Sequence, residues 1–431
     1  MNGPRRAKLE AAQLRQLHAL LRTILPRHRF YARKFAGVDL TRRGRPSLEE
    51  FLRRLPFTTK AELVANQAAH PPFGTLHTYP LKRYVRFHQT SGTTGAPLRW
   101  LDTAEDWSWM VDNWTQVYRA AGISGARGDR VFFAFSFGPF IGFWLAYEAA
   151  QRVGCLCIPG GGLSSAARLR VMIDSGATVL CCTPTYALRL GEAAREEGIS
   201  LRELKIGKLI VAGEAGGGIP AVRERISQLW NGAQVLDHHG MTEIGPVTYE
   251  SPVRPGALVP MEDAYIAEVI DPKSGEEVAA GEPGELVLTA LGRFGSPLVR
   301  YRTGDRVKKI FVGRQLAFEG GILGRADDMI VVRGVNLYPS SVEKVVRGFA
   351  AVTEYRVEVH QDRAMTEVRL LVEPSPECGD TAGLAAKIET ALETAFALRI
   401  PVRCVAVGAL PKFEMKAKRW IVIGGTEARK S

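Results

Sequence analysis

His88-Gln89-Thr90-Ser91-Gly92-Thr93-Thr94-Gly95-Ala96-Pro97 packs four Ser/Thr hydroxyls and two glycines into a segment that looks too irregular for a helix or strand. It reads as a loop for polyphosphate. Gly92 and Gly95 let backbone N–H groups approach an anion with no Cβ in the way. Thr90, Ser91, Thr93 and Thr94 supply donors, and Pro97 helps fix the exit. A kinase-type P-loop needs lysine directly after the second glycine, and Ala96 stands there instead. A Ser/Thr/Gly surface turn has the same composition, so the segment alone leaves both readings open.

Outward from this loop the chain changes texture twice. Leu9, Leu14, Leu17, Leu20, Leu21 and Ile24 recur at helical spacing, so the chain opens with an amphipathic helix. Thr103 and Asp106 resemble a capping box, and the helix they start carries Trp107, Trp109, Trp114 and Tyr118 as a core stripe. From residue 131 to residue 237, short strand-like runs alternate with helical ones, which predicts right-handed βαβ units and a parallel sheet covered on both faces. After residue 246, short β-rich pieces with Pro-Gly and Ser-Gly turns predict a small barrel or antiparallel sheet. Beyond Asp327 the order is βαββαβ: strands at 329–332, 354–360, 367–372 and 402–407, with helices at 339–349 and 382–395. The fold class is therefore α/β, in two domains. Residues 1–326 form a large domain with parallel βαβ sheets and a small β-rich subdomain; residues 327–431 form a small α+β domain.

A chain of 431 residues, 46% of them hydrophobic, has ample core for more than one domain. Its formal charge of +12 favours polyanionic partners. The basic residues are spread rather than gathered, and no basic stripe is interleaved with aromatics, so nucleic acid is not an expected partner. Residues 131–150 are apolar but broken by Ser136, Gly138 and Pro139, which predicts a strand, a turn and a helix rather than a membrane span. The segment after Met1-Asn2-Gly3-Pro4-Arg5-Arg6 is amphipathic, unlike a signal core. Cysteines 155, 157, 181, 182, 378 and 404 include no C-x-x-C pair and read as buried free thiols suited to a reducing cytosol. A cytoplasmic protein is expected.

Further motifs follow the loop in order: His239-Gly240-Met241-Thr242-Glu243, Tyr301-Arg302-Thr303-Gly304-Asp305, Gly324-Arg325-Ala326-Asp327-Asp328, and Lys416-Ala417-Lys418-Arg419. Together they resemble the adenylate-forming, AMP-binding superfamily of acyl-CoA ligases. Phe30-Tyr31-Ala32-Arg33-Lys34-Phe35, Pro56-Phe57-Thr58-Thr59-Lys60 and Gly334-Val335-Asn336-Leu337-Tyr338-Pro339 point within it to the phenylacetate–CoA ligase-like branch. The resemblance implies ATP, Mg²⁺ and coenzyme A as cofactors and a small carboxylic acid, aromatic or arylacetic, as substrate. A carboxylate is a poor electrophile; transfer to the α-phosphorus of ATP gives an acyl-AMP whose AMP leaves readily when a thiol attacks.

The resemblance also assigns roles. Thr90 to Gly95 would cradle the β- and γ-phosphates, Glu243 would hold Mg²⁺, and Thr242 would donate to the α-phosphate. Asp305 would accept the ribose hydroxyls, and Arg325 would reach the nucleotide. Gly213-Glu214-Ala215 and the run Asp237, His238, His239, Gly240 and Met241 would line the nucleotide or the acyl group. His239 stands where relatives carry an adenine-stacking aromatic. Lys416 would neutralise charge between the α- and β-phosphates, with Lys418 a rival because Met415 replaces the usual glycine. Phe135, Ser136, Phe137, Gly138, Phe140 and Gly161 would form the acyl pocket, reshaped by Gly142 and Phe143. Asp327 would be the hinge of a mobile C-terminal domain, and Gly334 would line the thiol's path. Ser251 replaces a metal-binding cysteine of some relatives, so no metal beyond Mg²⁺ is expected.

Blander readings stand beside these. Glu243 alone is a helix-start carboxylate, Thr-Gly-Asp a common turn, Arg325 an ion-pair partner for Asp327 or Asp328, and Lys416 part of a solvated tail. Two other functions stay open. One is an adenylating enzyme that hands its acyl group to a carrier-protein thiol or an amine; the other is a non-catalytic nucleotide-binding homologue. The choice between monomer and homodimer is open as well.

Overall fold

The computed structural model describes residues 4–39, 46–90, 97–325, 330–332, 335–362, 365–413 and 417–423. The expected sites Ser91, Gly92, Thr93, Thr94, Gly95, Asp327, Gly334 and Lys416 lie outside the described residues.

Five parallel strands form the central sheet, in spatial order Leu156–Pro159, Arg130–Phe133, Val179–Cys182, Lys208–Val211, Gln234–Asp237. Helices Ile141–Arg152, Ser165–Ser175, Pro184–Glu196 and Pro220–Leu229 connect them. Because helices cover the sheet, its middle strands read as unbroken apolar runs: all four residues of Val179–Cys182 are buried. The strand order reverses at Arg130–Phe133, and such a reversal opens a crevice beyond the carboxyl ends of the strands on either side. Both cavities described below begin at carboxyl ends of this sheet.

The first helix, Pro4–Ile24, buries Leu17, Leu20, Leu21 and Ile24 against Tyr31, Phe51 and Val299. Helix Ala104–Ala120 starts in a complete Thr103/Asp106 capping box and buries Trp107, Trp114 and Tyr118. It packs beside a hairpin whose strands, Tyr84–Gln89 and Arg99–Thr103, pair antiparallel. His88 and Gln89 therefore belong to a strand, which ends at Gln89. The polar–apolar alternation Tyr84-Val85-Arg86-Phe87-His88 runs straight through the expected loop boundary.

The β-rich region is a six-stranded sheet in order Thr248–Glu250, Ala257–Pro260, Gln315–Arg325, Tyr301–Val312, Pro283–Ala290, Tyr265–Ile270, antiparallel throughout. In the C-terminal part, strands Val402–Cys404, Met365–Pro374, Val352–Asp362 and Trp420–Ile423 form a mixed sheet packed with helices Pro339–Val346 and Thr381–Phe396 around a separate buried cluster. Two strands add to the expected βαββαβ order. Val335–Leu337 forms a hairpin with Ile330–Val332. Trp420–Ile423 adds a parallel edge beside Val352–Asp362, and that four-residue piece carries too short a pattern to announce itself. Among the described residues no helix is long and apolar enough to cross a membrane.

Candidate active site

The hairpin positions the base of the phosphate-type loop. Thr90 N donates to Leu98 O, and Leu98 N donates to the Thr90 hydroxyl, both at 3.0 Å. The chain is thus closed on either side of residues 91–96. One strand of the hairpin also carries Asp102, which forms a fully buried ion pair with Arg293 at 2.6 Å. Arg293 Nη1 in turn donates to Thr242 O at 3.1 Å and Glu243 O at 2.8 Å. One guanidinium therefore ties the phosphate-loop hairpin to the backbone of Thr242 and Glu243. No local pattern marks Arg293 or Asp102, and the sequence reading missed both.

Thr242 and Glu243 lie in a tight turn after strand Gln234–Asp237. Gly240 and Met241 pair with Gly245 and Pro246 across it, so closely that a Cβ on Gly240 would meet Gly245 O at 2.8 Å. Glu243 is 7% exposed, and burial raises its carboxyl above the usual range. Lys60 and Arg325 act on it only through their field. A buried carboxylate with no direct counter-ion among the described residues is a place for a cation. Among the described residues no cluster of three or more His, Cys, Asp or Glu could hold a metal by itself. Mg²⁺ takes one or two carboxylates and completes its shell with phosphate oxygens and water.

Asp305 is not in a turn as expected but in strand Tyr301–Val312, at a bulge where Gly304 adopts φ +76°. The carboxylate is 3% exposed. His239 Nε2 lies 3.0 Å from one of its oxygens, and Arg325 Nη1 donates to the other at 3.0 Å. Arg325, open in the sequence between the nucleotide and an ion pair further on, sits directly across the ladder from Asp305. Asp237 lies beneath, part-buried, its N–H donating to Glu250. Burial, with the Glu250 charge, pushes its carboxyl up to about 7.

All these groups line one cleft of about 400 Å³, together with Thr90, Gly213, Glu214 and Ala215. Every nucleotide-site residue expected from sequence that is described lines it. Lys60, Glu343, Tyr355, Arg419 and Trp420 also line it and were not foreseen. Glu214 accepts from Thr185 N at 2.9 Å and from Ala417 N at 3.0 Å. Arg419 is clamped by Glu343 and Glu354 and reaches the Thr185 hydroxyl at 3.3 Å. The C-terminal segment thus docks on the cleft.

A second cavity, of about 290 Å³, adjoins the first and shares Gly213, His238, Gly240, Met241 and Thr242 with it. Its remaining wall is mostly apolar, including Trp114, Phe135, Phe140, Phe143, Cys181, Cys182 and Tyr186. Phe143 stacks on Phe135 with centroids 4.1 Å apart. Of the six residues expected here, Phe135 and Phe140 line the cavity; Ser136, Phe137, Gly138 and Gly161 do not. Phe137 packs instead against Trp144 and Tyr147, Gly138 O accepts from Trp144 Nε1, and Gly161 backs the turn. Trp114 and Tyr186, buried from helices, are cavity walls that helical spacing shows only as core. Burial pushes the Cys181 thiol up to about 12, so it is a wall rather than a nucleophile.

The AMP-binding enzyme family matches residues 84–292, and the AMP-binding enzyme C-terminal domain matches residues 334–422. The phenylacetate–coenzyme A ligase of Pseudomonas putida is 31% identical over 422 residues, covering 95% of this chain and 93% of that one. That of Thermus thermophilus is 33% identical over 379 residues, covering 86% and 82%. This chain belongs to the phenylacetate–CoA ligase family of AMP-binding enzymes. The family's two-part architecture is also visible in solved structures. A 2-hydroxyisobutyryl-CoA ligase in the postadenylation state superposes with TM-score 0.88 at 28% identity, covering 98% of this chain and 90% of that one. The same ligase in the thioesterification state gives 0.71 at 30% identity, covering 96% and 90%. Identity and coverage barely differ between the two, so this chain superposes better on that ligase's postadenylation structure than on its thioesterification structure.

Proposed function

We infer that this chain is an ATP-dependent acid–CoA ligase for a compact, ring-bearing carboxylic acid. The observation that carries this is the shared wall: a polar cleft and an apolar cavity meet at Gly213, His238 and residues 240–242. An acyl group in the second cavity would present its carboxylate to a nucleotide in the first. A carboxylate oxygen then attacks the α-phosphorus, pyrophosphate leaves, and an acyl-AMP forms. A thiolate attacks the acyl carbon next, and AMP departs with the original carboxylate oxygen. A bound Mg²⁺, held through Glu243, would supply charge neutralisation at the phosphates. Thr242, fixed by Arg293, donates to the α-phosphate; Asp305 takes the ribose hydroxyls; Lys416 stabilises the charge that grows as pyrophosphate leaves. Supporting the last role, Ala417, the next residue, lines the cleft.

The volume supports a small acid, since about 290 Å³ is at the lower end of the roughly 300–1,000 Å³ typical of ligand cavities. The chain divides, in this reading, into an adenylation core of residues 1–326 and a C-terminal unit of residues 327–431 that swings about Asp327, bringing Gly334 to the thiol's path. Coenzyme A, rather than a carrier protein, is the acceptor. Purified protein with ATP, Mg²⁺, free CoA and a panel of aromatic, arylacetic and short aliphatic acids should release AMP and yield CoA thioester stoichiometrically. AMP without thioester would move the acceptor to a carrier protein or amine; no AMP with any acid would refute the ligase.

A further inference from the structure

The apolar cavity contains one side-chain nitrogen whose hydrogen-bonding role is fixed by its surroundings. His238, 6% exposed, follows strand Gln234–Asp237. Its Nδ1 lies 2.7 Å from Thr248 O. A carbonyl oxygen only accepts, so Nδ1 carries the proton and donates. Burial, with a smaller push from His239, lowers this imidazole to about 4, so the ring is neutral near pH 7 and Nε2 keeps a bare lone pair. Among the described residues Nε2 has no hydrogen-bond partner. The Trp114 ring packs on the imidazole at 4.8 Å, which holds it in place.

Two neighbouring hydroxyls have partners of their own. The Thr183 hydroxyl accepts from Tyr186 N at 3.2 Å, and the Tyr186 hydroxyl pairs with Ser165 at 3.0 Å. A purely hydrocarbon acyl group would therefore desolvate His238 Nε2 and give it nothing in return, and an unpaired buried acceptor is costly. His238 also lines both cavities, so it stands where the acyl group meets the nucleotide. A partner for Nε2 must lie near the carboxyl end of the substrate.

We propose that His238 Nε2 is a specificity-determining acceptor, and that the acid this enzyme activates carries a hydroxyl or amino group beside its carboxyl, on the α-carbon or at the ortho position of a ring. The proposal rests on the ligase reading and narrows it. Phenylacetate itself lacks such a donor and is a poor substrate on this account.

The test compares matched acids within one protein: phenylacetate with mandelate, benzoate with salicylate, and mandelate with its methyl ether, which keeps the oxygen but loses the donor. AMP release gives kcat/KM for each. The wild-type protein should favour each donor-bearing acid by about tenfold or more, because a site built to bond a hydroxyl rejects the analogue without one. In His238→Leu the ratios should fall towards one. In His238→Gln, whose amide oxygen still accepts, part of the preference should return. Because each ratio is internal to one protein, a general loss of activity does not mimic the result. If His238→Leu does not fold, the wild-type ratios and His238→Gln still decide. Wild-type ratios near one, or ratios unchanged in both variants, overturn the proposal. AMP release with none of these acids overturns this inference, and only the absence of AMP across the wider panel of aromatic, arylacetic and short aliphatic acids refutes the ligase reading itself.

Discussion

Around the polar cleft, charged side chains are fixed by one another: Asp305 by His239 and Arg325, Arg419 by Glu343 and Glu354, Arg293 by Asp102. Around the apolar cavity next to it, rings are fixed by packing: Phe143 on Phe135, His238 on Trp114. The two regions share a wall but tolerate change differently. In the cleft each group has a direction and a charge, so losing one breaks a step. In the cavity the wall is volume, and volume can be exchanged between neighbours at modest cost. Substitutions in the cleft should therefore abolish, and substitutions in the cavity should redirect.

The largest effect is expected at Lys416. Lys416→Ala should slow acyl-AMP formation by about 10²–10³-fold, the usual cost of losing a preorganised charge at a transition state. Conversion of supplied acyl-AMP to thioester should remain, since that step lacks the departing pyrophosphate. Rapid-quench measurement of each half-reaction separates the two, and equal losses would remove Lys416 from its role. Next comes Arg293→Met, which leaves Asp102 buried with only His88, at 3.5 Å, to pair with among the described residues. A loss of about 3–5 kcal/mol in urea denaturation is expected, and a loss below about 1 kcal/mol, the range of a surface pair, would show that the pair does not brace the site.

The contrast sharpens with Phe143→Ala. Removing the ring stacked on Phe135 should admit bulkier acids and raise KM for small ones, a swing of about tenfold to a hundredfold in relative kcat/KM. KM for ATP should stay where it is. A matching rise for ATP would mean that the two cavities do not act separately.

The smallest effect is a pH dependence under the shared wall. The folded carboxyl of Asp237 is raised to about 7, against about 3.9 in an unfolded chain. Its contribution to stability is therefore complete below about pH 4 and is lost as pH rises through about 7. Asn resembles the protonated form and can still accept from His238 N. The melting temperature of Asp237→Asn should gain on the wild type between about pH 4 and 7, and the gain should level off above. A constant difference across that range would contradict the assigned shift.

The same contrast explains what could be read in advance. Residues 237–243, Asp305 and Arg325 were picked out by the motifs that carry the family resemblance, and one cleft brings them together. Arg293 and Asp102 were not, because their pairing spans 191 residues and shows no local period. The acyl wall was half legible. An irregular strand-to-helix turn has no fixed period, so Phe135 and Phe140 reached the cavity while Ser136, Phe137 and Gly138 did not. Trp114 shows the deeper limit: at helical spacing, a ring that walls a ligand cavity has the same signature as one that fills the core. The parallel sheet announced itself through short apolar runs alternating with helical ones, whereas the edge strand Trp420–Ile423 depends on a partner 63 residues away in register, Val357 with Trp420.

The central claim is that a carboxylate oxygen attacks the α-phosphorus at the junction of the two cavities. It can be followed by labelling that oxygen. Supplying an accepted acid with both carboxylate oxygens as ¹⁸O, together with ATP, Mg²⁺ and CoA, and weighing the products by mass spectrometry should give AMP carrying one ¹⁸O and a thioester carrying the other. Unlabelled AMP, or label in phosphate with ADP as the nucleotide product, would contradict the account.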